Sequence, residues 1–193
     1  MRTCVTWLWM LMAGAFLSGC ANLGQMQSAL NDIDGFWGQS KRNILAEKGS
    51  KVLPVSISHA KRSVSEAARS MGFVLVRDSD SSLNFRARSP LPFTEDEYTK
   101  IRTVEEPIMQ AMAANHVGGF TSSFFVLSSG DTDVLVDVRL EPKSQDATLV
   151  KLDFTLQWVK GRQQSGLLLG EHPPPEALRR GLDKFWDAVQ RSL

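Results

Sequence analysis

Three histidines, His59, His116 and His172, are the side chains best suited to move a proton or hold a metal near neutral pH. A metal-binding helix would carry two of them at H-x-x-x-H or H-E-x-x-H spacing. These three lie far apart, so no metal centre is expected. Nucleophilic hydrolysis needs an activated serine, and no G-x-S-x-G elbow occurs. Ser122, Ser123, Ser128 and Ser129 fit strand edges and turns instead. The runs Glu95-Asp96-Glu97 and Glu105-Glu106 offer paired carboxylates for acid/base work. Both read more naturally as first-turn charges of two helices, facing the positive end of the helix dipole. Asp131, Asp133 and Asp137 are calcium-ligand types but lack the closing glutamate of a binding loop, and Gly118-Gly119 lacks the pattern of a phosphate cradle. No catalytic residue, metal or cofactor is therefore expected, and the chain reads as non-enzymatic.

The strongest chemical signal is a thiol. Arg2 is the only charge before Asp32, and Val5–Leu17 is almost wholly apolar but too short for a comfortable membrane span. Leu17-Ser18-Gly19-Cys20 follows at once, a large aliphatic residue, two small ones and a cysteine. This resembles the lipobox of bacterial lipoproteins. The resemblance implies that the Cys20 thiol receives a diacylglyceryl group, that cleavage falls between Gly19 and Cys20, and that the freed amine is acylated. A conventional secretory signal is the alternative, but Ala13-Gly14-Ala15 lies inside the apolar run and no A-x-A site is evident after it. Acyl chains contribute about 0.8 kcal/mol per buried CH2 and hold a protein on a bilayer without a spanning helix. Ala21 stands where enterobacterial lipoproteins retained at the inner membrane carry aspartate. The resemblance thus implies an outer-membrane location, facing the periplasm. Cleavage removes Cys4 and leaves no free thiol or disulfide, which suits an oxidising compartment.

The rest of the chain must supply a fold. With 193 residues, 42% hydrophobic and 22% charged, it is sized for one globular domain plus an appendage. A formal net charge of +1 leaves no electrostatic footprint for nucleic acid. Residues 1–19 read as signal and 20–50 as an acylated N-terminus and tether, because Gly24, Gly35, Gly38 and Gly49 interrupt any long helix. Within that tether Phe36-Trp37 is expected to dock onto the domain. Residues 51–193 read as the periplasmic domain. A strand at Val52–Ile57 precedes a helix capped by Ser58, with Ala60, Val64, Ala67, Ala68 and Met71 on one face and Gly72 at its end. Phe73–Arg77 and the alternating Leu83, Phe85, Ala87 form a hairpin. Tyr98, Ile101, Ile108 and Met112 fall at helical spacing, with Pro107 dividing two helices. Strands are expected at Phe120–Leu127, Val134–Leu140 and Leu149–Val159, with a possible last one at Ser165–Leu169. A closing helix after Pro173-Pro174-Pro175 carries Leu178, Leu182, Phe185, Trp186, Val189 and Leu193 as a stripe.

Strands joined by short turns predict an α+β fold, a curved and mainly antiparallel sheet packed against helices and closed by a long C-terminal amphipathic helix. This element order, with the lipobox and tether, resembles the helix-grip arrangement of the BamC-type lipoproteins of the outer-membrane protein assembly machinery. The expected function is that of a membrane-anchored accessory or assembly factor that binds another envelope component. The alternative is a lipid or hydrophobic-ligand carrier with a cavity between sheet and terminal helix, around Trp158, Phe185 and Trp186. Replacing the acyl acceptor tests the anchor: Cys20→Ala is expected to abolish labelling by radioactive palmitate and to leave a precursor of full length. Unchanged labelling overturns the lipoprotein reading.

Overall fold

The computed structural model describes residues 23–159 and 171–193. The signal segment, the Leu17–Cys20 motif and the strand expected at Ser165–Leu169 lie outside the described residues. The described chain runs α1 (Leu23–Lys48), β1 (Ser50–Leu53), α2 (Ile57–Ser70), β2 (Val74–Asp78), β3 (Ser82–Arg88), α3 (Glu95–Ser122), β4 (Thr132–Ser144), β5 (Ala147–Trp158) and α4 (Pro175–Arg191). The fold class is α+β, as expected.

The strands form one antiparallel sheet in the order β1-β5-β4-β3-β2. Period-two alternation gives it one apolar face. Leu83 and Phe85 of β3, Val136, Val138 and Leu140 of β4, and Val150, Leu152 and Phe154 of β5 are all buried there. Against them α2 lays Ala60, Val64, Ala67 and Ala68, and α4 lays Leu178, Leu182, Phe185, Trp186 and Val189. The alternate residues carry charge. The Asp133 carboxylate is held by Arg86 and Arg88 at 2.7 Å each, and Asp137 pairs with Asn84. Those partners account for Asp133 and Asp137, two of the three aspartates that resemble calcium ligands by type.

Several expectations need correction. The helix-free tether of residues 20–50 is instead α1 from Leu23 onward, because Ala29, Leu30, Ile33, Trp37 and Ile44 recur on one face and are buried. Interior glycines cost a helix roughly 1 kcal/mol each, and burial of that face outweighs them. Gly38 also has a positional reason, since the His172 ring lies 3.1–3.3 Å from where a Cβ would stand. Trp37 docks as expected, while Phe36 stays partly exposed. The cap of α2 is Ser56 rather than Ser58.

Pro107 does not divide α3. The helix runs through it, and the break falls at Gly118, whose φ of 76° and ψ of 161° are non-helical. The buried face is Ile101, Glu105, Met109, Ala113 and Val117, with Ile108 exposed. The start is as read: Thr94 and Glu97 form a reciprocal capping box. The strand expected at Phe120–Leu127 is absent, since those residues are the end of α3 and a return segment. That segment bonds to α3 side chains rather than to a strand, with Gln110 donating to the Phe125 carbonyl at 3.2 Å and Glu106 accepting from the Leu127 amide at 3.0 Å.

Glu105 therefore opens no helix of its own. It is buried in mid-helix and accepts a hydrogen bond from the Glu176 amide, capping the N-terminus of α4 from a distant part of the chain. Burial raises its pKa, and the bond from Glu176 opposes the rise only in part. The folded chain thus binds this proton more tightly than the unfolded chain, and Glu105's contribution to stability falls as pH rises through the window between the two values. Glu105→Gln keeps an acceptor and removes the slope. Its urea midpoint is expected to gain on the wild type as pH rises above the ordinary carboxylate range, whereas Glu105→Ala loses the cap and costs about 1–2 kcal/mol at the acid end.

Candidate functional site

The helices α1, α3 and α4 do not close completely over one end of the sheet. They leave a cavity of about 480 Å³, within the size range of small-molecule sites. Met26, Leu30 and Trp37 line it from α1, and Met109 from α3. Leu156 and Trp158 contribute from the end of β5, and Ala177, Leu178 and Gly181 from the first turns of α4. The Ser89–Phe93 loop and the return segment Phe124–Ser128 complete the wall. No charged side chain is among these lining residues.

A few polar groups interrupt the apolar wall. The Tyr98 hydroxyl donates to the Ser128 carbonyl at 3.0 Å and so ties the return segment to the start of α3. Burial pushes the Tyr98 phenol up from its already high ordinary pKa, and it is a protonated donor at neutral pH. Ser89, Thr121, Ser128 and Thr132 also reach the wall. Such a surface supplies dispersion contacts to an alkyl or aromatic body and scattered hydrogen bonds to one polar end.

Of the residues expected to form a ligand or partner surface, only Trp158 lies at the cavity. Phe185 and Trp186 are fully packed core residues. Phe185 stands edge-on to Phe154 and Trp186, at ring separations of 6.3 and 6.2 Å. The Trp186 indole donates to the Lys48 carbonyl at 2.7 Å. The amphipathic stripe of α4 is therefore core along these residues, and the space lies nearer its N-terminal turns. Cys20 and Gly19 lie outside the described residues.

Two of the three histidines are bound up in structure, while His59 lies apart from both in the first turn of α2. His116 meets Asp32 at 2.7 Å and His172 meets Asp34 at 2.8 Å, fastening α1 to α3 and to the approach of α4. Among the described residues no three His, Cys, Asp or Glu side chains come together as metal ligands. Sequence reasoning missed Met26 and Leu30 because they fell in the supposed tether, and missed Phe124–Leu127 because they read as a strand. The uncharged run of residues 117–130 was the available signal for the latter.

No family model matches the chain, and no curated protein matches it either.

The cavity has a stability consequence at Gly181. In the interior of α4, the nearest atom to a methyl group added there would be Phe93 Cζ at 3.8 Å, an ordinary contact. Gly181→Ala is thus expected to raise stability by about 0.5–1 kcal/mol through helix propensity, read as a higher urea midpoint. A lower midpoint would show that the site tolerates no added volume.

Proposed function

We propose that this chain is a lipid-anchored, non-enzymatic envelope protein whose cavity binds an acyl chain or a comparably apolar ligand. The observation that carries the reading is the cavity itself, of about 480 Å³ with no charged side chain among its lining residues. An open, largely apolar pocket of this size with a few polar groups in its wall is the kind of surface that takes a small hydrophobic ligand. The lipobox resemblance at Leu17–Cys20 supports the anchor and, with Ala21, an outer-membrane location facing the periplasm. Among the described residues no helix is long and apolar enough to cross a membrane.

The accessory-factor reading keeps one specific support. Among the described residues β2, one of the two outer strands, pairs only with β3 and exposes Val74 and Val76, an edge onto which a partner segment could add. The cavity favours ligand binding as the primary role, with a protein partner as its donor or acceptor. Crosslinking from Val74 in the native envelope is the measurement for that partner.

Brominated long-chain fatty acid tests the cavity directly in the full mature chain. Trp37 and Trp158 line the space and Trp186 does not, so binding is expected to quench part of the tryptophan emission saturably. Trp158→Phe should lose much of that quenching. Gly181→Leu should weaken binding by roughly tenfold, since its side chain displaces about two ligand CH2 groups worth about 0.8 kcal/mol each. Quenching that never saturates, or that Gly181→Leu leaves unchanged in midpoint, overturns the carrier reading.

A further inference from the structure

The mouth of the cavity carries an apolar lip that the ligand reading alone does not explain. Phe120, Phe124 and Val126 are 81%, 67% and 51% exposed, and the two phenylalanine rings contact each other edge-on at 5.4 Å. Phe124 and Val126 also line the cavity, so their exposed sides mark its opening. Their display is built rather than loose. The kink at Gly118 turns the chain out of α3, and Gln110, Glu106 and Tyr98 then hold the backbone of the return segment at Ser123, Phe125, Leu127 and Ser128. Residues 117–130 contain no charged side chain, which is what contact with hydrocarbon requires.

The helix register shows where this lip points. Glu97 pairs with Lys184 and Glu105 caps Glu176, so α3 runs antiparallel to α4. Gly38 lies against His172 while Lys48 meets Asp183, so α1 runs parallel to α4. With Asp32 of α1 at the level of His116 of α3, the start of α1 and the end of α3 share one end of the molecule. The chain outside the structure joins there, and Cys20 precedes the exposed Leu23 by three residues. Phe120, just beyond the Gly118 kink, thus stands at the end of the molecule where α1 begins, and Phe124 and Val126 run back from it along α3 to the cavity.

We infer that Phe120, Phe124 and Val126 insert into the hydrocarbon edge of the bilayer that carries the Cys20 acyl chains, so that the cavity opens onto lipid and loads from it. The inference deepens the acyl-binding reading and rests on it, since a lip without a cavity has no cargo to pass. Insertion of two phenylalanines and a valine removes their exposed surface from water and orients the cavity mouth below the headgroups. The lipid anchor supplies proximity, and the lip supplies orientation.

The test uses the full mature lipoprotein in phosphatidylcholine vesicles. Acylation of Cys20 leaves no other thiol, so Phe120→Cys accepts one environment-sensitive fluorophore, and Val74→Cys, on the far edge strand, is the exposed control. Emission at position 120 is expected to rise about threefold or more on reconstitution and to be quenched by acyl-chain nitroxide lipid, while position 74 reads as in water. Equal behaviour at the two positions overturns the inference. Phe120 does not line the cavity. Phe120→Asp is therefore expected to slow loading of brominated fatty acid from vesicles by roughly tenfold and to leave affinity from free solution unchanged. Unchanged loading by Phe120→Asp also overturns the lip. Absence of tryptophan quenching by either route is a different result, which removes the cavity reading and leaves the fluorophore measurement to decide insertion separately.

Discussion

Helix α1 can stay beside the body only because it is fastened along its length, and the cavity exists only because it is fastened there. Asp32 holds His116, Asp34 holds His172, and at the far end Lys48 reaches Asp183 while its carbonyl receives the Trp186 indole. Around the first two ties Ala29, Leu30, Ile33 and Trp37 meet Met109, Ala113 and Val117 in a small apolar cluster separate from the main core. That second cluster keeps α1 and α3 together, and the sheet end beneath them is left uncovered. A helix lying directly on the sheet there would have filled the space that Trp158 and Leu156 now face.

The N-terminus of α4 is the second constraint, and it shows a local cost accepted for position. A carboxylate buried in mid-helix is unfavourable in itself, and the raised pKa of Glu105 expresses that. Yet the same carboxylate satisfies an amide that the polyproline entry to α4 leaves without a side-chain cap. The first turns of α4 are thereby fixed at the cavity wall, where Ala177 and Gly181 keep the helix surface low. Small residues on the wall side and large ones on the core side let one helix serve both regions. Phe185 and Trp186 belong to the packed half and Gly181 to the open half.

Much of the sheet was legible, because period-two alternation survives wherever one face is buried and the other wet. Leu83, Phe85 and Ala87, and Val150, Leu152 and Phe154, fall as their pattern demands. The α3 cap was equally readable, since Thr94 and Glu97 interact within one turn. What failed was everything decided by distant partners. The glycines of α1 argue against a helix locally, and only burial against α3 and α4 overrides them. Pro107 argues for a break that packing on both sides suppresses, while Gly118 makes the break instead. The apolar residues of 120–127 look like a strand, but the groups that satisfy their backbone are Gln110, Glu106 and Tyr98, contacts no periodicity encodes. Phe185 and Trp186 look like a binding stripe for the same reason that they make a core. Apolar spacing marks a buried face without saying whether protein or ligand covers it.

That ambiguity is resolved by exposure and charge together. An apolar face turned to water is a hazard when it lies on a sheet edge, where backbone groups are free to pair with another chain. The lip differs from such an edge, because α3 side chains already bond its backbone carbonyls and amides at Ser123, Phe125, Leu127 and Ser128. What remains exposed is mainly the side-chain surface of Phe120, Phe124 and Val126, which a non-directional hydrocarbon phase can cover without matching its shape. A protein partner would have to match its shape, whereas a bilayer need only be near. On the proposed reading the acyl anchor three residues before α1 supplies that nearness, and the Asp32–His116 tie holds the end of α3, with Phe120 beyond it, beside the start of α1.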